Sequence, residues 1–299
     1  MNWLRNKKTV VVHDGNFHPD DVFSVALLSI LCDGKIKVIR SRDEEIISKA
    51  DFVADTGHEY NPTKNRFDHH QEEGAGERPN GIKYSSIGLL WKKYGVQVCG
   101  NKKVAKIIED RIIQVVDADD CGKELSIEKI KGVHTLPFID RIYDVIPTWK
   151  ENEISLDEAF IEAVVYAKDF LMREIKVEKD SEDAEEIVDK IYTSSCDRRI
   201  IIFENPNLPK DILIKYSEPT FLLKPEKDGS YWRVTTINKE LHSYEVRKNF
   251  PEGWWGKNGE ELSEISGVKD VVFCRIGGIF AGAKTKIAAI KLAEAALKL

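Results

Sequence analysis

The sequence predicts an α/β protein of two domains, a first built on a mostly parallel sheet flanked by helices and a smaller second, also α/β. Three observations carry this. Short β-branched runs alternate with helical patterns from Thr9 to Asp55, the texture turns to strands after Arg198, and 299 residues are enough for two cores of ordinary size.

Thr9-Val10-Val11-Val12 reads as the first strand, because β-branched side chains suit a pleated, buried surface. Residues 20–31 read as a largely buried helix with Asp20 and Asp21 in its first turn, where a helix N-terminus favours negative charge. Residues 35–39 and 51–55 give two more strands, joined by a short helix over 44–49. In parallel sheets function gathers at the carboxyl ends of strands. His13 follows the first run directly and Asp55 closes the third.

Further along, Asn80-Gly81 marks a turn, Ser85 or Ser86 caps a helix through Tyr94, and residues 104–117 have apolar side chains at helical spacing. Ser155-x-x-Glu158 is a capping-box pattern opening a long helix towards Glu178. The charged run over 178–186 reads as a solvated helical connector. Strands are expected at 200–203, 221–223, 231–237 and 271–273, with a glycine turn, Gly277-Gly278, ahead of a final amphipathic helix over 286–299. The domain boundary is set near residue 195, giving domains of 1–195 and 196–299.

A formal charge of -6 argues against a broad basic surface that coats nucleic acid, while leaving room for a local basic groove. No stretch approaches the roughly 18 apolar residues of a membrane span, and the first residues do not resemble a signal peptide, so a cytoplasmic protein without a membrane partner is expected. The five cysteines are scattered without a C-x-x-C pair, which predicts reduced, mostly core-filling thiols.

Five of the seven histidines lie at or before position 70, each among carboxylates. Three segments stand out: His13 to Asp21, with His18 and Asp20; Asp55-Thr56-Gly57-His58; and Asp68-His69-His70. Singly, His13 or His18 would be a loop histidine, Asp20 a helix-end charge and Asp68 a turn residue. Together they supply imidazole and carboxylate donors without thiolate, a set suited to Mn²⁺, Fe²⁺, Co²⁺ or Mg²⁺. Phosphate chemistry gives such a set a purpose, since two cations about 3.5–4 Å apart clamp the attacking and leaving oxygens of an in-line displacement. Asp55, at a strand end, is the natural bridging carboxylate.

The pattern V-V-H-D-G-N-F-H-P-D-D from Val11, V-A-D-T-G from Val53, R-F-D-H-H-Q from Arg66 and V-V-D-A-D-D from Val115 resembles the motifs of DHH phosphoesterases, and most closely the MYG exonuclease family. The likeness extends to Trp232-Arg233-Val234, Arg247, Pro251, Trp254-Trp255-Gly256, Glu261-Leu262 and Gly267. It implies a DHH-type first domain with one cation held by His13, His18 and Asp55, and a second held by Asp20, Asp55, His69 and Asp117. Asp119 and Asp120 compete with Asp117 for the last position. His70 would face the phosphate, and Asp68 would orient a histidine. His58 is read as a loop residue. The resemblance also implies that the second domain grips substrate, with Arg233, Arg247, Lys248, Gly277 and Gly278 as candidates; Trp232 is read as core, and Trp254 and Trp255 as either core or base-stacking.

Two departures stand out. His18 stands where an aspartate is usual in many DHH enzymes, and the G-G-G-H motif of related second domains is missing, with Ile279 after the glycines.

The expected function is a phosphodiesterase dependent on two divalent cations, Mn²⁺ foremost, acting as a 3′-5′ exonuclease on single-stranded RNA or short oligonucleotides. The alternatives are a phosphoesterase acting on a dinucleotide, nucleotide bisphosphate or pyrophosphate, and a metal-binding protein without catalysis. The sequence leaves oligomeric state open, a homo-oligomer included.

Overall fold

A computed structural model describes residues 7–126, 130–133 and 135–299. Contacts divide the chain into two compact units, Met1–Lys179 and Asp180–Leu299. The division falls inside a 39-residue helix, α7 (Leu156–Ser194), where the sequence reading put a boundary near 195. One uninterrupted helix thus supplies residues to both cores. Ala159, Phe160, Ala163, Ala167 and Leu171 pack into the first, and Ala184 and Val188 into the second.

The first unit is built on β1 (Lys8–Val12), β2 (Ile36–Arg40), β3 (Phe52–Ala54), β4 (Tyr60–Asn61) and β5 (Arg66–Phe67), in the order β2-β1-β3-β5-β4. The first three neighbour pairs are parallel, and only β4 runs antiparallel, against β5. The sequence pattern did not single out β4 and β5, because two residues are too few to show a period of two.

Helix α1 (Pro19–Leu31) begins with proline, whose fixed φ suits a first helical position, and Asp21 Oδ1 reaches back to accept from the His18 backbone N–H at 2.9 Å. It is buried from Pro19 to Ser29, which explains its nearly continuous apolar sequence. Each Val, Leu or Phe side chain so buried contributes about 1.5–3 kcal/mol.

Asp43 caps the short α2 (Glu44–Lys49). Helix α3 (Ser86–Cys99) packs on α1. The helix expected over 104–117 is α4 (Lys102–Ile108) and α5 (Gln114–Asp120) joined by a π-helical turn at Glu109–Ile113. A short α6 (Asp140–Asp144) precedes α7.

The parallel strands present their carboxyl ends together. His13, Asp55 and Asp68 are each the first residue after β1, β3 and β5. This places the chemistry where the open α/β rule expects it.

The second unit is a five-stranded sheet of β6 (Ile200–Ile202), β7 (Phe221–Pro225), β8 (Trp232–Thr236), β9 (Val271–Cys274) and β10 (Phe280–Ala283), ordered β6-β7-β8-β10-β9. Only β6 and β7 are parallel, so this sheet is mostly antiparallel. Two helices, α8 (Gly259–Ser266) and α9 (Lys286–Lys298), complete the unit, and Thr285 caps α9 by accepting from the Ala288 N–H at 3.1 Å. The glycine turn closes the β9–β10 hairpin, and β10 lies between it and α9.

Gly278 has a φ of 64°, and a Cβ there would fall 2.2 Å from Trp255 Nε1 and 2.9 Å from the Phe250 carbonyl oxygen. That carbonyl accepts from Trp255 Nε1 at 2.8 Å, so Gly278 lets a strained turn press against a fixed indole. We predict that Gly278→Ala destabilises the protein by about 1–3 kcal/mol. Its guanidinium midpoint should fall at unchanged slope; an unchanged midpoint would contradict this account.

Candidate metal centre

The loops after β1, β3 and β5 and the end of α5 converge on one cleft of about 1080 Å³, lined by His13, His18, Asp55, His69, His70 and Asp120 among others. Asp55 sits at its centre. Its backbone is left-handed, with φ 53°, a conformation that costs a non-glycine residue of order 1–3 kcal/mol. The cost is met by fixing its N–H, which donates to Ser86 Oγ at 3.0 Å and to the Phe67 carbonyl at 3.2 Å. The carboxylate then reaches two imidazoles at once: His13 Nε2 lies 3.3 Å from Oδ2, and His69 Nε2 lies 3.3 Å from Oδ1.

Around this axis, His13 Nε2 is also 3.2 Å from Asp21 Oδ2, and His69 Nε2 is 3.2 Å from Asp120 Oδ2 and 3.8 Å from Asp20 Oδ2. Donor atoms of His13, His18 and Asp55 lie within 4.8 Å of one another, as do those of Asp55, His69 and His70. Asp55 Oδ1, Asp21 Oδ2 and His69 Nε2 are buried without a hydrogen-bond partner. Buried polar atoms are rarely left so, and each of these lies at ion-pair distance from another group of the cluster, Asp55 Oδ1 and His69 Nε2 from one another and Asp21 Oδ2 from His13 Nε2.

Asp20 is fully buried at the amino end of α3, where Oδ1 accepts from Ser85 Oγ at 2.6 Å and Ile87 N–H at 2.7 Å, and Oδ2 from Ser86 N–H at 3.1 Å. A helix N-terminus favours a carboxylate in this way.

Asp117, expected as the last ligand, binds the same turn and Arg78. Its Oδ1 accepts from Ser85 N–H, Ser85 Oγ and Gly88 N–H, and its Oδ2 lies 2.6 Å from Arg78 Nη1. A Cβ at Gly88 would fall 2.2 Å from Asp117 Oδ2, so the approach requires glycine. Of the three acids in Asp117-Ala118-Asp119-Asp120, the first is turned to Arg78 and the second accepts from Tyr143 Oη at 2.8 Å. Asp120 alone of the three stands beside His69.

Asp68 is fully buried. Oδ1 accepts from the backbone N–H groups of His69 and His70 and lies 2.8 Å from His70 Nδ1, while Oδ2 accepts from His58 N–H at 2.6 Å. It ties the His58 and His69-His70 loops together and aims the half-exposed His70 ring. The Asp68 carboxylate holds the His70 imidazole above its ordinary range. His58 contributes its backbone, and its ring nitrogen lies 3.3 Å from the His70 carbonyl.

Sequence reasoning weighed Asp120 only as a rival of Asp117 and missed Asp21, Arg78 and Arg42. No pattern signals them, because Asp21 is disguised as a helix-capping acid and Arg78 lies in a loop. Arg42 and Arg66 are the only Lys or Arg side chains among the described residues lining the cleft. Arg66 is engaged by carbonyl oxygens, those of Ile47, Ser48 and Ala50 among them, whereas Arg42 is mostly exposed and leans on Asp14.

Of the residues expected to grip substrate in the second unit, both arginines and both glycines are engaged within it. Arg247 donates to the Pro219 and Ile214 carbonyls at 2.7 and 2.9 Å. Arg233 pairs with Glu226 and lies over Phe280. Lys248 is half-buried, Gly277 accepts from Asn249 Nδ2 through its carbonyl, and Gly278 packs on Trp255. Trp254 is core, Trp232 and Trp255 are partly buried against it, and stacking on bases has no exposed tryptophan pair to use. The thiols are also less uniformly buried than expected: Cys99 and Cys274 are core, Cys196 is exposed, and Cys121 is half-buried beside the cluster, its pKa pushed up to about 11 by burial and nearby carboxylates.

Electrostatics tie the imidazoles to the carboxylates. Burial lowers the affinity of His13 and His69 for protons, but the adjacent Asp55 carboxylate and the charges of Asp21, Asp20 and Asp120 outweigh it and push both imidazoles up to about 9. Burial pushes Asp21 up to about 7 and Asp120 up to about 6, and lifts Asp20 well above its usual range. Burial also opposes ionisation of Asp55, yet its two histidines hold it well below the carboxylate range. Protons bound to His13 and His69 therefore do the neutralising that cations would otherwise do.

For these raised groups, stabilisation is complete below the unfolded pKa, about 6.5 for histidine, and is lost as pH rises through about 9. We predict that the metal-free protein melts at a lower temperature at about pH 8.5 than at 6.5. Mn²⁺ should raise the melting temperature more at the higher pH, where fewer protons are displaced. A Mn²⁺ shift equal at both pH values, or larger at 6.5, would contradict this balance.

The profile of the MYG1_exonuc family, described as an uncharacterised protein family (UPF0160), matches residues 9–297. A MYG1 protein of Dictyostelium discoideum is 30% identical over 95% of this chain and 95% of its own. A MYG1 exonuclease of Rattus norvegicus is 26% identical over 99% of this chain and 86% of its own. Among solved structures, a pGpG-specific phosphodiesterase from Vibrio aligns over 98% of this chain and 97% of its own, at 13% identity and a TM-score of 0.34.

Proposed function

We propose, from the premise that this chain belongs to the MYG1_exonuc family, that the cleft is the active site of a phosphodiesterase using two divalent cations to trim single-stranded RNA or short oligonucleotides from the 3′ end. The enzyme is a metal-dependent phosphoesterase, a hydrolase. The observation that carries the reading is the buried Asp55 carboxylate set between two imidazoles, Oδ2 3.3 Å from His13 Nε2 and Oδ1 3.3 Å from His69 Nε2, with Asp120 Oδ2 3.2 Å from the latter.

The donors fit two cations. His13, His18 and Asp55 would hold one, and Asp20, Asp55, His69 and Asp120 the other, with Asp55 shared. Nitrogen and oxygen donors of this mixture suit Mn²⁺ best, with Mg²⁺, Co²⁺ and Fe²⁺ as alternatives. Divalent cations, when bound, supply a lowered pKa for the attacking water and positive charge for the attacking and leaving oxygens.

The chain's own residues do the rest. His70, held above its ordinary pKa and fixed by Asp68, faces the cleft as the proton donor to the leaving oxygen. Asp68 acts through that ring. Arg42, mostly exposed at the rim, meets a substrate phosphate. The loop architecture that carries these groups is anchored by Asp20 and Asp117 on the amino end of α3, which keeps the donors in place as substrate enters.

A second reading, a phosphoesterase for dinucleotides or other small phosphate esters, is favoured by the lining itself. Asp14, Glu44, Glu59 and Asp119 line the cleft along with Arg42 and Arg66, and the described lining residues form no extended basic track for a long polyanion. Chain length separates the two.

With Mn²⁺ and 5′-end-labelled oligoribonucleotides, a ladder of products shortened from the 3′ end is expected. Asp55→Ala should lose at least about 100-fold in rate, and Arg42→Ala should raise KM. Rates that fall steadily as the chain lengthens from a dinucleotide would favour the small-ester reading. Full activity in Asp55→Ala would sink both.

A further inference from the structure

The last turn of α5 carries a side chain that the reading above does not use. Cys121 follows Asp120 directly, and the turn is closed by three backbone bonds: Cys121 N–H to the Asp117 carbonyl, Gly122 N–H to that of Asp119 and Lys123 N–H to that of Ala118, at 3.1, 2.9 and 2.7 Å. Gly122 takes a φ of 66°, which ends the helix and holds Cys121 at its rim. Donor atoms of His69, Asp120 and Cys121 lie within 4.8 Å of one another. The Sγ atom has a loose contact with the Lys83 carbonyl at 4.0 Å, too long to hold it. His69 Nε2 and Asp120 Oδ2, the other two members, are already 3.2 Å apart.

One imidazole, one carboxylate and one thiol at this spacing differ in kind from the rest of the centre, which offers only nitrogen and oxygen. Metal–ligand bonds of about 2.0–2.3 Å require the three donors to draw in by about 1 Å, within the reach of side-chain rotation at a helix end. Soft thiolate ligands select thiophilic cations over Mn²⁺ and Mg²⁺.

We propose that Cys121 forms, with His69 and Asp120, a capture site for thiophilic divalent cations, Zn²⁺ and Cd²⁺, at the edge of the centre. Occupation of this site diverts His69 and Asp120 from the harder cation and stops hydrolysis. On capture the thiol S–H bond breaks, its proton passes to water, and a sulfur–metal bond forms without change of oxidation state. The inference rests on the reading that His69 and Asp120 are metal donors.

Cobalt reports the difference, because Co²⁺ bound to thiolate has a near-ultraviolet charge-transfer band that Co²⁺ on nitrogen and oxygen lacks. Metal-stripped full-length protein titrated with Co²⁺ should develop that band together with the visible d–d bands. Cys121→Ser should keep the d–d bands and lose the charge-transfer band, while Cys196→Ser, altering the exposed thiol of the second unit, should keep both. Cd²⁺ should inhibit Mn²⁺-dependent turnover of the wild type at about tenfold lower concentration than that of Cys121→Ser. Visible bands without the thiolate band in the wild type, or equal Cd²⁺ sensitivity in Cys121→Ser, would overturn the capture site and leave the metal centre standing. No Co²⁺ bands at all would overturn the metal centre, and the capture site with it.

Discussion

Asp20, Asp21, Asp55, Asp117 and Asp120 are drawn out of water within one small region, and the rest of the first unit is arranged around neutralising them. A buried carboxylate without a partner is among the most costly features a fold can contain. Asp117 is answered by Arg78 and the amino end of α3, and Asp20 by the same turn. Asp55 and Asp120 are answered only by imidazoles, and Asp21 by His13 and one backbone N–H. That partial answer sets Asp55 and Asp120 apart from Asp117, and Asp20, though held by the α3 turn, still brings Oδ2 to 3.8 Å from His69 Nε2.

Two backbone devices make the crowding geometrically feasible. Asp55 adopts a left-handed conformation because Ser86 Oγ and the Phe67 carbonyl fix its N–H, and this turns a strand end into a point of convergence. Gly88 removes the side chain that would hold α3 away from Asp117. Both devices depend on α3 lying against the sheet ends, so α3 anchors a site to which it contributes no metal donor.

The second unit organises its charges differently. Arg233 and Arg247, the forks that looked ready for phosphate, are consumed by Glu226 and by backbone carbonyls, and its glycine turn is committed to Trp255. These two arginines are parts of its own packing. Arg42, in the first unit's cleft, keeps most of its side chain exposed.

Much was already determined by the sequence alone: the parallel sheet, its strands at β1 and β3, buried α1, and the gathering of His13, His18, Asp55, His69 and His70. These are legible because hydrophobic periodicity and clustered donors are local properties of a chain. Only the tertiary structure decided which of three acids in one helical turn stands beside His69, that Arg78 claims Asp117, that Asp21 is more than a cap, and that Cys121 borders the centre. Those outcomes follow from how α3 and α5 pack against the sheet ends. A difference of one residue on a helix turns a side chain by about 100°, and nothing in the local pattern records which partner awaits it across the fold.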